Sequence, residues 1–125
     1  MEHVYDPSAS ITKALSWLKP GGLIHIEVPS SRWLISKVFN AYYRLIGTDY
    51  VTNISPMHPP FHLYEFGESS FRRHARRFGY QIAKLDPWVA ETMLPKKFDP
   101  ILKPIMERTK TGMQLDVWMR KKANQ

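Results

Sequence analysis

Apolar residues recur along this chain in two rhythms, one helical and one of period two. Ile11, Ala14, Leu15 and Leu18 fall at i, i+3, i+4 and i+7, which predicts an amphipathic helix. Asp6 suits its N-cap, Pro7 suits the first helical position, and Pro20-Gly21-Gly22 stops it. Leu23 to Val28, closed by Pro29, reads as a strand. Alternation puts Ile24, Ile26 and Val28 on one face and Leu23, His25 and Glu27 on the other. A helix, a glycine stop and a strand in immediate succession mark an α/β protein with parallel strands.

A second helix is expected from about Arg32 to Ile46, capped by Ser30-Ser31 and ended by Gly47. Leu34, Ile35, Val38, Ala41, Tyr42 and Leu45 form its stripe. Trp33, Phe39 and Tyr43 widen that stripe, so the helix either packs on two sides or covers a pocket. Residues 48–66 read as a long, lid-like loop carrying Met57, His58, Phe61, His62 and Tyr64 among prolines. A third helix runs from about Glu68 to Phe78, with Phe71, Ala75 and Phe78 inward and Arg72, Arg73, Arg76 and Arg77 outward. Gly79 ends it.

Tyr80 to Leu85 reads as a strand. Four prolines make residues 86–110 an irregular connection that includes a short helix near 101–108. Met113, Leu115, Val117 and Met119 then alternate with Gln114, Asp116, Trp118 and Arg120, a period-two strand. A parallel crossover normally carries a helix, so this last strand is expected to run antiparallel.

Composition narrows the classes. The 125 residues suit one domain, and 43% hydrophobic content excludes a disordered chain. No apolar stretch is long enough to span a bilayer, and the polar, acidic N-terminus does not read as a signal peptide. The absence of cysteine excludes a disulfide framework, a thiolate zinc site and a cysteine nucleophile, and is compatible with a reducing cytoplasm. The net charge of +7 admits a nucleic-acid or anionic partner, but only the four arginines of the third helix are concentrated.

Glu2-His3-Val4-Tyr5-Asp6-Pro7, the helix, Leu18-Lys19-Pro20-Gly21-Gly22-Leu23 and Ile26-Glu27-Val28-Pro29 together resemble the pattern "EHVxDP … LKPGGxLxxxVP". That is a pattern of class I S-adenosylmethionine-dependent methyltransferases of the type 11/12/23 kind. His62-Leu63-Tyr64-Glu65-Phe66, then Glu68-Ser69, a helix and Gly79-Tyr80, resembles the same family's "HLxxFxxES … GF" segment. The resemblance covers most of residues 2–82. It implies an α/β fold that is the C-terminal half of a Rossmann-like sheet. Residues 23–28 would be strand five, 80–86 strand six and 112–121 strand seven, in the order 5-7-6 with the seventh antiparallel. It further implies a single domain over 1–125 whose cofactor-binding N-terminal half lies elsewhere. The family's glycine-rich turn between a strand and a helix has no counterpart here, since Gly21-Gly22 follow a helix and precede a strand.

In open α/β sheets ligands sit beyond the carboxyl ends of the strands. The resemblance places Glu2 and His3 there as contacts to S-adenosylmethionine, and Pro29, Ser30, Trp33, Met57, His58, Phe61, His62 and Tyr64 around a small-molecule acceptor. His3 and His62 are the candidates for a base or a substrate contact, since imidazole titrates near neutral pH. Each has a plainer reading, as a hydrogen-bonding residue near the cofactor or a pin for the loop. His58 and His62 are four apart, but Pro59-Pro60 prevents a helix and no third ligand is apparent, so no metal is assigned. Glu27 is expected to form a salt bridge or hydrogen bond at the strand end. Trp33, Tyr42, Tyr43, Tyr50 and Phe61 make either core or an apolar lid. A chain lacking strand four would expose the strand-five edge, which invites homo-oligomerisation. A non-enzymatic assembly module and a nucleic-acid-binding domain are the alternative functions.

Overall fold

The computed structural model describes residues 1–52 and 62–122. Helix α1 spans Pro7–Ser16, strand β1 Leu23–Pro29, helix α2 Leu34–Leu45, helix α3 Glu68–Phe78, strand β2 Gln81–Trp88, helix α4 Asp99–Thr109 and strand β3 Gln114–Arg120. A single 3-10 turn, Lys96–Phe98, leads into α4. The chain is a small α/β unit built on one three-stranded sheet of order β1-β3-β2.

The last strand is the central one. It pairs antiparallel with β1 from Leu23↔Arg120 to Pro29↔Gln114, and antiparallel with β2 from Gln81↔Arg120 to Trp88↔Gln114. Strands β1 and β2 therefore run parallel to each other on either side of a reversed strand. This is why the expected alternation in β3 is so clear: Leu115, Val117 and Met119 are at most 1% exposed. A central strand with one covered face needs an unbroken apolar row, and each such side chain contributes about 1.5–3 kcal/mol on burial.

That face is covered by α1 and α3. Ile11 and Leu15 of α1 and Phe71 and Ala75 of α3 pack on Val28, Leu115, Val117 and Met119. Asp6 caps α1 by accepting from the Ala9 amide at 2.9 Å. Gly79 closes α3 at φ +79, in the left-handed region where a side chain would be strained. Phe78, expected inside, is 36% exposed and lies under the Arg77 guanidinium instead. The other face of the sheet is polar, with Trp118 stacked on His25 at 4.5 Å.

Three expectations need correction. First, residues 86–110 are not mainly irregular. Strand β2 continues through Pro87 to Trp88, which an edge strand tolerates, and the helix expected near 101–108 is present as α4, longer by two residues at its start and one at its end, with Pro104 inside it. Complete burial of Met106 and a 2.7 Å bond from the Thr92 hydroxyl to Asp99 hold that helix in place. Second, α2 begins at Leu34 with Trp33 as an N-cap that makes no side-chain bond; Ser30-Ser31 do not cap it. Third, Glu27 makes no salt bridge among the described residues. It stands opposite Asp116, and it is His25 that pairs with Asp116, at 3.1 Å.

Helix α2 also departs from both readings of its stripe. Ser36 and Asn40 bond Thr52, which folds residues 48–52 back on the helix. Tyr50 rests on Tyr43 at 4.8 Å. Val38, Tyr42, Leu45 and Ile46 consequently face outward, each at least 53% exposed. The expected lid loop is thus tied down at 48–52, while Met57, His58 and Phe61 lie outside the described residues.

Candidate functional site

The parallel strands β1 and β2 share one carboxyl rim, at Pro29 and Trp88. Residues 62–66 lie along the β1 end of it. The Ser31 amide donates to the Phe66 carbonyl at 2.8 Å, and Ser30 and Phe66 form an isolated parallel bridge. The Leu63 amide donates to the Glu2 carbonyl at 2.8 Å, so the N-terminal turn docks on the same strip. The Tyr64 hydroxyl adds a bond to the Tyr5 carbonyl at 2.8 Å. Three segments distant in sequence are stitched together mainly by backbone groups.

This stitching gathers Glu2, His3 and His62. Their ligand atoms all lie within 4.8 Å of one another. The two imidazoles meet edge-on, with centroids 4.8 Å apart. Glu2 Oε1 is 3.5 Å from His3 Nε2, and Oε2 is 2.9 Å from the N-terminal amine. Burial pushes the Glu2 carboxyl upward. Its backbone hydrogen bond, the bond from the amine and the positive charges of the amine and His3 outweigh that and hold it below the ordinary carboxylate value.

Other expected site residues are placed less directly. Pro29 ends β1 beside Phe66. Ser30 is 2% exposed, its amide donates to the Met113 carbonyl, and its hydroxyl accepts from the Arg32 amide at 3.2 Å. Those bonds make Ser30 the residue that shapes the turn out of β1. Trp33 is half-buried, and its indole Nε1 has no hydrogen-bond partner among the described residues.

The residues also form a site the sequence reading missed. A cleft of about 480 Å³ opens between α1 and α3, walled by Tyr5, Tyr64, Phe66 and Phe71 and edged by Asp6, Ser8, Ser70 and His74. His74 Nε2 is 2.8 Å from the Ser8 hydroxyl, and its Nδ1 is 3.0 Å from the Tyr80 hydroxyl. Burial, and then the charge of Arg77, lower the His74 pKa against an opposing pull from Asp6, so the ring is neutral at pH 7. Burial raises Tyr80 to about 12. With a neutral ring one nitrogen donates and the other accepts, so the proton donors run in a single direction along the chain of three groups. The signal was present in sequence, because His74 shares the 71, 74, 75, 78 spacing of the inward face of α3.

No protein-family model and no curated protein matches this chain.

Proposed function

We propose that this chain is the back portion of an S-adenosylmethionine-dependent methyltransferase domain acting on a small-molecule acceptor. The observation that carries the reading is the reversed β3 between parallel β1 and β2, and the gathering of Glu2, His3 and His62 adds to it. The motif order along residues 2–82 adds to it.

The described residues do not make a cradle for the donor. Among them no glycine-rich turn leads from a strand into a helix. In this reading the donor, which supplies the methyl group, is gripped by elements outside these residues. The chain's own part is the acceptor side. Pro29, Trp33, His62 and Tyr64 border the place where an acceptor would lie, and Ser30 sets the turn that positions them. His3 or His62 takes the proton that the acceptor oxygen, nitrogen or carbon loses. An imidazole suits this because its ordinary pKa lies near neutrality.

Two measurements test the reading. Titration calorimetry of S-adenosylmethionine into the 125-residue chain should show no micromolar binding. The coding sequence in frame before Met1 should specify a strand followed by a glycine-rich turn, and the longer polypeptide should bind the donor. Tight binding to the short chain, or a longer polypeptide that does not bind, overturns the proposal.

A non-enzymatic assembly module is the second reading. It is favoured by the outward stripe of α2 and by the outer edge of β1, which bears only the Ser30–Phe66 bridge among the described residues. A strict monomer in light scattering at high concentration would exclude it.

A further inference from the structure

We propose that Glu2, His3 and His62 form a binding site for one divalent transition-metal ion, of which zinc is the best match. The proposal stands on the donor geometry and does not require methyl transfer.

Two imidazole nitrogens and one carboxylate oxygen are a borderline donor set. It suits zinc and its first-row neighbours better than calcium or magnesium, which prefer all-oxygen shells. The three groups come from two segments about sixty residues apart, held in register by the 2.8 Å bond between the Leu63 amide and the Glu2 carbonyl. Their ligand atoms already lie within 4.8 Å of one another. Around a tetrahedral zinc, donor atoms sit roughly 3.3 Å apart, so the groups must close by about 1.5 Å. His3 has 41% of its side chain exposed. The Glu2 carboxylate now faces the N-terminal amine at 2.9 Å and would exchange that partner for the ion. Three protein ligands leave the fourth position for water or for an oxygen donor of a small molecule, the pattern of an open rather than a purely structural site.

An ion here would also tie the N-terminal turn to the strip at residues 62–66. Binding to the folded chain alone raises its thermal midpoint by mass action. Both consequences are measurable on the chain as it stands.

The test is titration calorimetry of zinc chloride into tag-free, chelator-treated protein, with magnesium chloride as the comparison and thermal unfolding recorded in parallel. The expected result is one zinc per chain, a raised midpoint and no binding of magnesium over the same range. His3→Gln and His62→Gln should each weaken zinc at least tenfold. His25→Gln, on the polar face of the sheet, should leave it unchanged. If His62→Gln does not fold, Glu2→Gln and His3→Gln, which alter only the N-terminal turn, carry the comparison. Absence of zinc binding overturns the proposal. So do variants at Glu2 and His3 that bind as tightly as the parent, and loss of binding in His25→Gln.

Discussion

The hydroxyl of Ser8 lies 2.8 Å from Nε2 of His74, across 66 residues of sequence, and joins the start of α1 to the middle of α3. The same ring reaches Tyr80, just before β2, and stacks on Phe78 at 4.3 Å. One imidazole thus fixes the packing of both helices that cover the sheet. Its pKa is lowered, chiefly by burial. The folded state therefore holds its proton less tightly than the unfolded state, whose histidine titrates near 6.5.

Stability should consequently fall as pH drops below about 6.5, because the unfolded chain takes up the proton first. The loss continues until pH reaches the folded-state value. His74→Gln removes this component, and its thermal midpoint should vary less with pH between neutrality and about pH 5. At neutral pH the variant should be about 1–3 kcal/mol less stable, because Tyr80, 4% exposed, loses its ring partner. A variant with the pH profile of the parent would show that His74 does not control the acid response.

Gly112 tests the junction between α4 and β3. A Cβ at this position would collide with the carbonyl of Trp88, which is backbone and cannot swing aside. Gly112→Ala should therefore separate the ends of β2 and β3 and cost about 1–3 kcal/mol, read from the denaturant midpoint. Gly47, where nothing lies within 4 Å, offers the contrast. There Ala is resisted only by the left-handed φ of +77, a cost on the order of 1 kcal/mol.

The outward stripe of α2 should govern self-association. Leu45 is 86% exposed, so Leu45→Asp removes no packing and should leave the unfolding midpoint within about 0.5 kcal/mol of the parent. If the stripe is sticky, light scattering should show less association in the variant at high concentration. Equal association in both chains would move attention to the outer edge of β1.

How far sequence reached can be judged from individual elements. Helix α1 and strand β3 were legible because each buries a strictly periodic row: Ile11 and Leu15 in one, Leu115, Val117 and Met119 in the other. The reversed direction of β3 was expected from the weak helical pattern before it, and its central place only from the family resemblance; α4 then proved to be an 11-residue helix. Pro104 made that helix read as a short one, since an interior proline costs about 3 kcal/mol in isolation. The complete burial of Met106 and the Thr92–Asp99 bond offset it, and both are tertiary facts. The orientation of α2 was illegible for a similar reason. Its apolar stripe marks a face but not what the face meets, and the Thr52 bonds to Ser36 and Asn40 decide the rotation. Glu2, His3 and His62 were each singled out, but their meeting depends on the backbone bond from Leu63 to Glu2. His74 was passed over because a polar letter on an inward face does not register in an apolar pattern.

The polar face of the sheet sets carboxylates opposite one another. In the register of the three strands, Glu27 stands opposite Asp116, and Asp116 opposite Asp86, so three carboxylates lie in one row. His25 faces Asp116 at 3.1 Å and Lys84 faces Asp86 at 2.7 Å, but Glu27 has no such neighbour among the described residues. Like charges directly opposite are destabilising, and an opposite pair contributes about 0.2–1 kcal/mol. Glu27→Lys should therefore raise the urea midpoint, with a gain of that size. Because these groups are partly exposed, high salt should shrink the gain, whereas a packing effect would persist. Glu27→Gln should recover part of the gain, from relief of repulsion alone. A lowered midpoint in Glu27→Lys would show that the row of carboxylates does not destabilise the sheet.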